Sequence, residues 1–228
     1  MNISDIVLVV MYSLGAALVS YLLGSISFAV LFSKAFAQRD VRDSGSGNAG
    51  MTNVLRTIGK LPAVLTLLCD LLKAIAAIFL SRWIFSFLPF YEMTNVGSYI
   101  GGIAVVIGHI YPIFFNFRGG KGVLTCAGVF LVLDWKLCLL SIAIFLIITL
   151  LTGYVSLGSI LSMAAAPIST LIVGLTLRAD VLLTRTVIWQ TIFLCIIAGI
   201  SIFMHRSNIK RLLNGTENCF KKKKTAEK

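Results

Sequence analysis

Apolar residues run along this chain in blocks near twenty residues long, separated by short polar stretches rich in glycine. Blocks of that length match the hydrocarbon thickness of a bilayer, so each is predicted to be a spanning helix. Spans are expected at about 6–33, 61–88, 97–116, 122–134, 136–152, 154–177 and 187–204. The fourth is short, bounded by Gly122 and the Asp134-Trp135-Lys136 break, and could fuse with the fifth. The first is long enough to bend, or to end as an interfacial helix. The expected fold class is an all-α integral membrane protein of about seven transmembrane helices, one polytopic domain over 1–228 with a basic tail at 205–228. The run Ile6 to Leu23 lacks a basic start and a small-residue cleavage site, so it reads as the first span and not as a signal peptide.

Composition supports this. Of 228 residues, 58% are hydrophobic and 13% charged, and the mean hydropathy is +0.95, which leaves no separate soluble domain. The five cysteines (Cys69, Cys126, Cys138, Cys195, Cys219) have no CxxC or CxxH spacing, and four fall inside apolar runs. They read as packing residues, with no disulfide and no metal role. A net charge of +11 would point to nucleic acid in a soluble chain. Here its distribution gives topology instead, and no nucleic-acid partner is expected. Fifteen of the twenty Lys and Arg fall in the first loop (Lys34, Arg39, Arg42, Arg56, Lys60), in the loop between spans three and four (Arg118, Lys121) and in the tail from Arg206. By the positive-inside rule that side is the cytoplasm, which puts the N-terminus outside and the tail inside. A five-span alternative needs re-entrant segments that the charge count does not demand.

This orientation gathers four polar stretches on one face: Ser44 to Arg56, Gly108 to Gly122, Gly153 to Ser159 and His205 to Glu217. The outer connections (Pro89 to Asn95, the Asp134 break, Arg178 to Arg185) have no comparable content. Polar groups kept beside spanning helices tend to be functional, and a one-sided cluster argues for an interfacial site facing the cytosol. Spans two, four and six each begin just after one of the first three stretches, so three helix N-termini aim unpaired N–H groups at that face. Such ends bind phosphate, above all where glycine lets the backbone approach. In Arg118 to Gly122, Gly119, Gly120 and Gly122 supply that approach and Lys121 supplies the charge. Arg56 offers a bidentate fork. Ser46, Asn48, Thr52, Asn53, Ser156 and Ser159 add neutral donors. The expected ligand is a phosphate ester or anhydride, or two of them.

Taken singly, each feature has a plain reading. The GGKG run is a common turn and not a Walker A loop. SGSGN is also a flexible cap. His109 and His205 lie at the ends of apolar segments, where a satisfied structural histidine is the default. Asp70 and Lys73, spaced i, i+3 inside span two, pair on one helix face and are assigned a structural role, with a place in the pocket left open. Lys221 to Lys224 reads as a solvated end held near anionic lipid. The convergence of four stretches carries the functional reading. The chemistry is narrowed by two absences. The fifth residue after His109 is Phe114 and after His205 is Lys210, so there is no His-x4-Asp base, and neither GxSxG nor a metal-ligand cluster occurs. An enzyme with this inventory takes its activation from the substrate.

The chain resembles the acyl-phosphate-dependent glycerol-3-phosphate acyltransferases of bacteria, the PlsY type. The resemblance is carried by GSISFA (Gly24 to Ala29), SGSGNAGMTNVLRTIGK (Ser44 to Lys60), DLLK (Asp70 to Lys73), GHIYPIFFNFRGGKGVLT (Gly108 to Thr125), YVSLGSI (Tyr154 to Ile160) and HRSNIKRLLNGTE (His205 to Glu217). Ala49, Met51 and Leu124 depart from the pattern without removing a polar group. The resemblance implies a seven-span inner-membrane enzyme that moves an acyl group from acyl phosphate to the 1-hydroxyl of sn-glycerol 3-phosphate, giving lysophosphatidic acid and phosphate, without cofactor or metal. It implies that Ser46 and Arg56 serve catalysis or acyl-phosphate placement, and that Gly119 to Gly122 with Lys121 hold glycerol 3-phosphate. His205 and Asn208 would bind substrate or orient the hydroxyl, Ser156 or Ser159 would bind phosphate, and Glu217 would be structural. The proton acceptor stays open between His205 and a phosphate oxygen of the substrate. A transporter of organic phosphates and a structural membrane subunit are the rival classes. Oligomeric state and acyl-chain preference are not expected to show in the sequence.

Overall fold

The computed structural model describes residues 2–89, 94–177 and 181–220. They form ten helices: α1 (Ile3–Gly24), α2 (Phe28–Ala37), α3 (Met51–Thr57), α4 (Lys60–Phe85), α5 (Thr94–Ile110), α6 (Val123–Leu133), α7 (Trp135–Thr152), α8 (Val155–Leu177), α9 (Val181–Met204) and α10 (Arg206–Leu213). Six stretches are long and apolar enough to cross a membrane: 3–37, Lys60–Phe85, Asn95–Phe115, Trp135–Thr152, Val155–Gly174 and Thr186–Met204. The chain is a multi-pass, all-helical membrane protein. The connections at 90–93 and 178–180 and the lysine run Lys221 to Lys224 lie outside the described residues.

The fourth expected span differs from the rest. Helix α6 has 11 residues, which at 1.5 Å per residue reaches ~16 Å, about half the hydrocarbon thickness. It does not fuse with α7, because Asp134 is extended (φ −156°, ψ 100°) and breaks the helix there. The first expected span is broken as well. Helix α1 ends at Gly24 and α2 starts at Phe28, with Ser25, Ile26 and Ser27 forming an elbow between them. Two short helices, α3 and α10, fall in stretches that hydropathy marks only as polar.

The chain forms two compact units, residues 1–135 and 136–228. In the first, α1, α4 and α5 pack on one another through small residues. A Cβ on Gly24 would strike the Val105 carbonyl, and one on Gly108 would strike the Tyr21 carbonyl, so α1 and α5 touch backbone to backbone. Lipid gives no hydrophobic drive for association, so close approach and polar contacts between helices hold such a unit. The Ser81 hydroxyl donates to the Gly97 carbonyl at 2.6 Å, and Arg82 Nε to Ser98 Oγ at 2.6 Å. Helices α2, α3 and the start of α4 enclose a small core of Ala29, Val30, Val41, Ala49, Val54 and Ala63. In the second unit α8 packs on α9. The α7–α8 turn at Gly153 accepts the Phe220 N–H at 2.8 Å, which brings the tail back to it.

Candidate active site

In the first unit the stretch Ser44 to Arg56 is a folded loop followed by a short helix, organised by Asn53. The two hydrogens of the Asn53 amide nitrogen are shared among the carbonyls of Val41 (2.9 Å), Ser44 (3.0 Å) and Asn48 (3.1 Å). Its oxygen accepts the Ser46 N–H at 3.0 Å. Asn53 is 1% exposed, so its amide holds the loop, and Ser46 is what the loop presents at the surface. Asn48 is half-buried and Arg56 is exposed on α3.

The stretch Gly108 to Gly122 folds back on the end of α5. The Gly119 N–H donates to the Ile110 carbonyl and the Gly120 N–H to the His109 carbonyl, both at 3.1 Å. These bonds satisfy carbonyls that a helix C-terminus otherwise leaves open. They also direct the two glycine amides inward, onto the end of α5. The glycines are required by space: a Cβ at Gly119 would meet the His109 carbonyl, and one at Gly120 would meet His109 Nε2. Helix α6 begins immediately after Gly122, whose φ is +83°, with Lys121 half-buried beside it. Candidate donors for an anion on this loop are the first N–H groups of α6 and the side chains of Arg118 and Lys121.

The two loops touch. A Cβ at Gly120 would stand 2.8 Å from the Ala49 carbonyl. Arg42, in the 3-10 turn Val41–Asp43, ties them from the other side. It grips Asp40 with Nε–Oδ1 at 2.9 Å and Nη2–Oδ2 at 2.7 Å, and donates through Nη1 to the Phe115 carbonyl (2.7 Å) and the Arg118 carbonyl (3.1 Å). The Arg42 hydrogen bonds hold the Asp40 carboxyl below its ordinary value, and Asp40 in turn raises the guanidinium. Sequence reading used Arg42 only as a topological charge. The Arg39-Asp40-Val41-Arg42-Asp43 run gives no sign of which acid and base pair.

Beneath the loops lie Asp70 and Lys73, paired on one face of α4 as expected, with Lys73 Nζ 2.7 Å from Asp70 Oδ1. His109 joins them through Nδ1, 3.0 Å from Lys73 Nζ. Beside α3 and α4, Met51, Leu55, Lys60, Ala63, Val64 and Leu67 line an apolar groove of about 300 Å³.

The second unit carries the other predicted residues. Glu217 accepts at Oε1 from Ser156 Oγ (3.1 Å) and Asn208 Nδ2 (2.8 Å), and at Oε2 from Arg211 Nε (2.7 Å). Its side chain is only 5% exposed. The structure thus separates the two serines: Ser156 reaches Glu217, whereas Ser159 donates to Val155 of its own helix at 2.9 Å. His205 is buried between α9 and α10, with Nδ1 2.8 Å from the Ser201 carbonyl. A carbonyl only accepts, so Nδ1 carries a hydrogen. No group of three or more His, Cys, Asp or Glu side chains fit to hold a metal ion is found among the described residues.

The family described as "Glycerol-3-phosphate acyltransferase" matches residues 14–215. The glycerol-3-phosphate acyltransferase of Thermoanaerobacter sp. (strain X514) is 41% identical over 212 residues, spanning 91% of this chain and 96% of that protein. That of Clostridioides difficile (strain 630) is 40% identical over 210 residues, spanning 91% and 95%. A crystal structure of PlsY (YgiH), an integral membrane glycerol 3-phosphate acyltransferase in its glycerol 3-phosphate form, superposes with a TM-score of 0.75 at 35% identity, covering 92% of this chain and 96% of that one. Its lysophosphatidic acid form gives the same TM-score at 34% identity.

Proposed function

The chain belongs to the glycerol-3-phosphate acyltransferase family, and on that premise we propose that it transfers an acyl group from acyl phosphate to the 1-hydroxyl of sn-glycerol 3-phosphate. The products are lysophosphatidic acid and inorganic phosphate, and the pathway served is phospholipid synthesis. The observation that carries the site assignment is the contact between the two loops of the first unit at Ala49 and Gly120, clamped by Arg42. It supports a phosphate site with Arg56 and Lys121 as the cations and Ser46 as the exposed donor.

Acyl phosphate is a mixed anhydride. The substrate hydroxyl oxygen bonds to the acyl carbon, the bond from that carbon to the phosphate oxygen breaks, and phosphate leaves with the electron pair. No covalent enzyme intermediate is needed, so positioning and stabilisation of the charged oxygens supply the acceleration. Lys121 and Arg56 hold phosphate oxygens, with Ser46 and Asn48 adding neutral donors. Asn53 works one step back, by fixing the loop that presents them, and Gly119, Gly120 and Gly122 work by letting the second loop fold tightly. The groove along Met51, Leu55, Ala63, Val64 and Leu67 suits the acyl chain.

In the second unit His205 is one of two candidates to receive the hydroxyl proton. A phosphate oxygen of the substrate is the other acceptor, and Asn208 orients the substrate. Ser156 or Ser159 contacts phosphate by giving up its present acceptor, the Glu217 carboxylate for the one and the Val155 carbonyl for the other. Glu217 is structural. The charge count further supports seven crossings with α6 as a half-length one, the N-terminus outside and the tail and site at the cytoplasmic face of the inner membrane.

The test is lysophosphatidate formation by purified protein with acyl phosphate, acyl-CoA and acyl carrier protein compared as donors. Lys121→Ala and Arg56→Ala are each expected to lose roughly a hundredfold or more in kcat/KM with acyl phosphate. Retention of most activity in both would sink the phosphate-loop assignment. Accumulation of labelled glycerol 3-phosphate in sealed vesicles without any acyl donor would mark a transporter instead.

A further inference from the structure

Lys73 is a cation in the middle of a spanning helix, and it is 5% exposed. Three acceptors surround its ammonium: Asp70 Oδ1 at 2.7 Å, the Ile26 carbonyl at 2.8 Å and His109 Nδ1 at 3.0 Å. An ammonium donates and never accepts, so Nδ1 of His109 carries the lone pair and Nε2 the hydrogen. The imidazole is neutral, in one tautomer, and held in one rotation. Its 3.6 Å approach to Asp70 Oδ1 is then proximity across Lys73 and not a hydrogen bond.

The far edge of the ring lies under the loops. A Cβ placed on Gly120 would fall on His109 Nε2 and stand 2.8 Å from the Ala49 carbonyl. The main-chain carbonyl of His109 meanwhile takes the Gly120 N–H at 3.1 Å. His109 therefore holds the residue before Lys121 from its backbone and from its ring. Through Lys73 the same group is anchored to Ile26 in the α1–α2 elbow, inside the Gly24 to Ala29 stretch that no role above has used.

If the pair served packing alone, it would be an expensive choice. Buried ion pairs often give way without loss to well-packed apolar side chains. Asp70 and Lys73 also cancel in charge, so they add little net field to a site built for anions.

We infer that Asp70, Lys73 and His109 form a positioning unit that sets the height of the Gly120–Lys121 segment against Ala49, and through it the grip on glycerol 3-phosphate. This rests on the reading of the Lys121 loop as a phosphate site. The unit acts through geometry, so loosening it raises KM for glycerol 3-phosphate more than it lowers kcat.

The experiment compares full-length Asp70→Leu, Lys73→Met, the Asp70→Leu/Lys73→Met double variant, His109→Asn and Lys121→Ala, measuring thermal melting in detergent, KM and kcat. Each single charge removal leaves a buried charge without its partner and lowers the melting temperature. The double variant recovers the melting temperature yet keeps a KM raised roughly tenfold, because His109 has lost the donor that orients it. His109→Asn keeps an acceptor near Lys73 but removes the ring edge under Gly120, so it folds and shows the same KM rise. A double variant with both melting temperature and KM at wild-type values overturns the inference, and so does a folded His109→Asn with unchanged KM. If the double variant does not fold, His109→Asn decides. If Lys121→Ala leaves KM unchanged, the phosphate-loop reading fails and the inference with it. If Lys121→Ala raises KM and His109→Asn does not, the inference alone fails.

Discussion

The polar stretches of the two units are held together in opposite ways. In the first, side chains hold main chain: Asn53 spans three carbonyls and one N–H, Arg42 reaches two carbonyls of the second loop, and glycine amides close the end of α5. In the second, one carboxylate gathers three side chains, with Glu217 drawing Ser156 of α8 and Asn208 and Arg211 of α10 onto itself. A backbone-held loop spreads its stability over many bonds. A single hub concentrates it, and losing the hub takes an acceptor from several donors at once.

The largest effect is therefore expected at the hub. Glu217→Ala should lower stability by about 2–4 kcal/mol, read by thermal melting in detergent, since it removes the acceptor that Ser156, Asn208 and Arg211 share. Glu217→Gln should recover part of that, because its amide oxygen still accepts. If Glu217→Ala melted with the wild type, the hub account would be wrong.

Asn53→Ala comes next, at about 2 kcal/mol, but as local opening. Hydrogen exchange should speed over 41–53 while the amides of α4 and α5 stay protected. A uniform loss of protection would show that the loop and the helices unfold as one, and the contrast between the regions would collapse. Arg42→Lys should cost about 1 kcal/mol, since a lysine cannot hold Asp40 with two donors and still reach the Phe115 and Arg118 carbonyls. It should also raise KM for glycerol 3-phosphate; no change would mean the loops hold their contact without the clamp.

The smallest effect concerns pH. The hydrogen bonds from Arg42 lower the Asp40 pKa from its ordinary 3.8. A carboxyl depressed on folding adds stability that is complete above the unfolded value and lost as pH falls through the folded one. Wild type should thus exceed Asp40→Asn by a constant margin at neutral pH, and the margin should close below 3.8. A margin that persisted in stronger acid would show that the pair contributes through packing rather than charge.

Much of this was legible in the chain before it was folded. Helices α4, α5, α7, α8 and α9 follow from blocks of apolar residues, because in lipid a backbone must satisfy itself and the helix is the local way to do so. The i, i+3 spacing announced Asp70 with Lys73, and the motifs marked Ser46, Arg56, Lys121, His205 and Asn208 as candidates, Arg56 and Lys121 being those that the proposed variants test. The Asp134-Trp135-Lys136 break also marked the short fourth span that α6 forms, whereas apolar character alone did not place the bend of the first run at Ser25 to Ser27. Nor did the sequence show that the Gly119 and Gly120 amides turn inward onto the end of α5.

What the sequence determined by itself is what depends on neighbours along the chain: span lengths, charge asymmetry, and the residue types gathered near the polar face. What tertiary structure alone decided is which partner each polar group takes. Arg42 could pair with any nearby acid, His109 could be an idle end-of-helix residue, and Ser156 and Ser159 look equivalent in a string of letters. The choices depend on groups 36 and 61 residues apart meeting within about 3 Å, as Lys73 meets His109 and Ser156 meets Glu217. Hydrogen bonds are short-range and directional. Local sequence can supply the donors and acceptors, but only the packed helices bring them within reach.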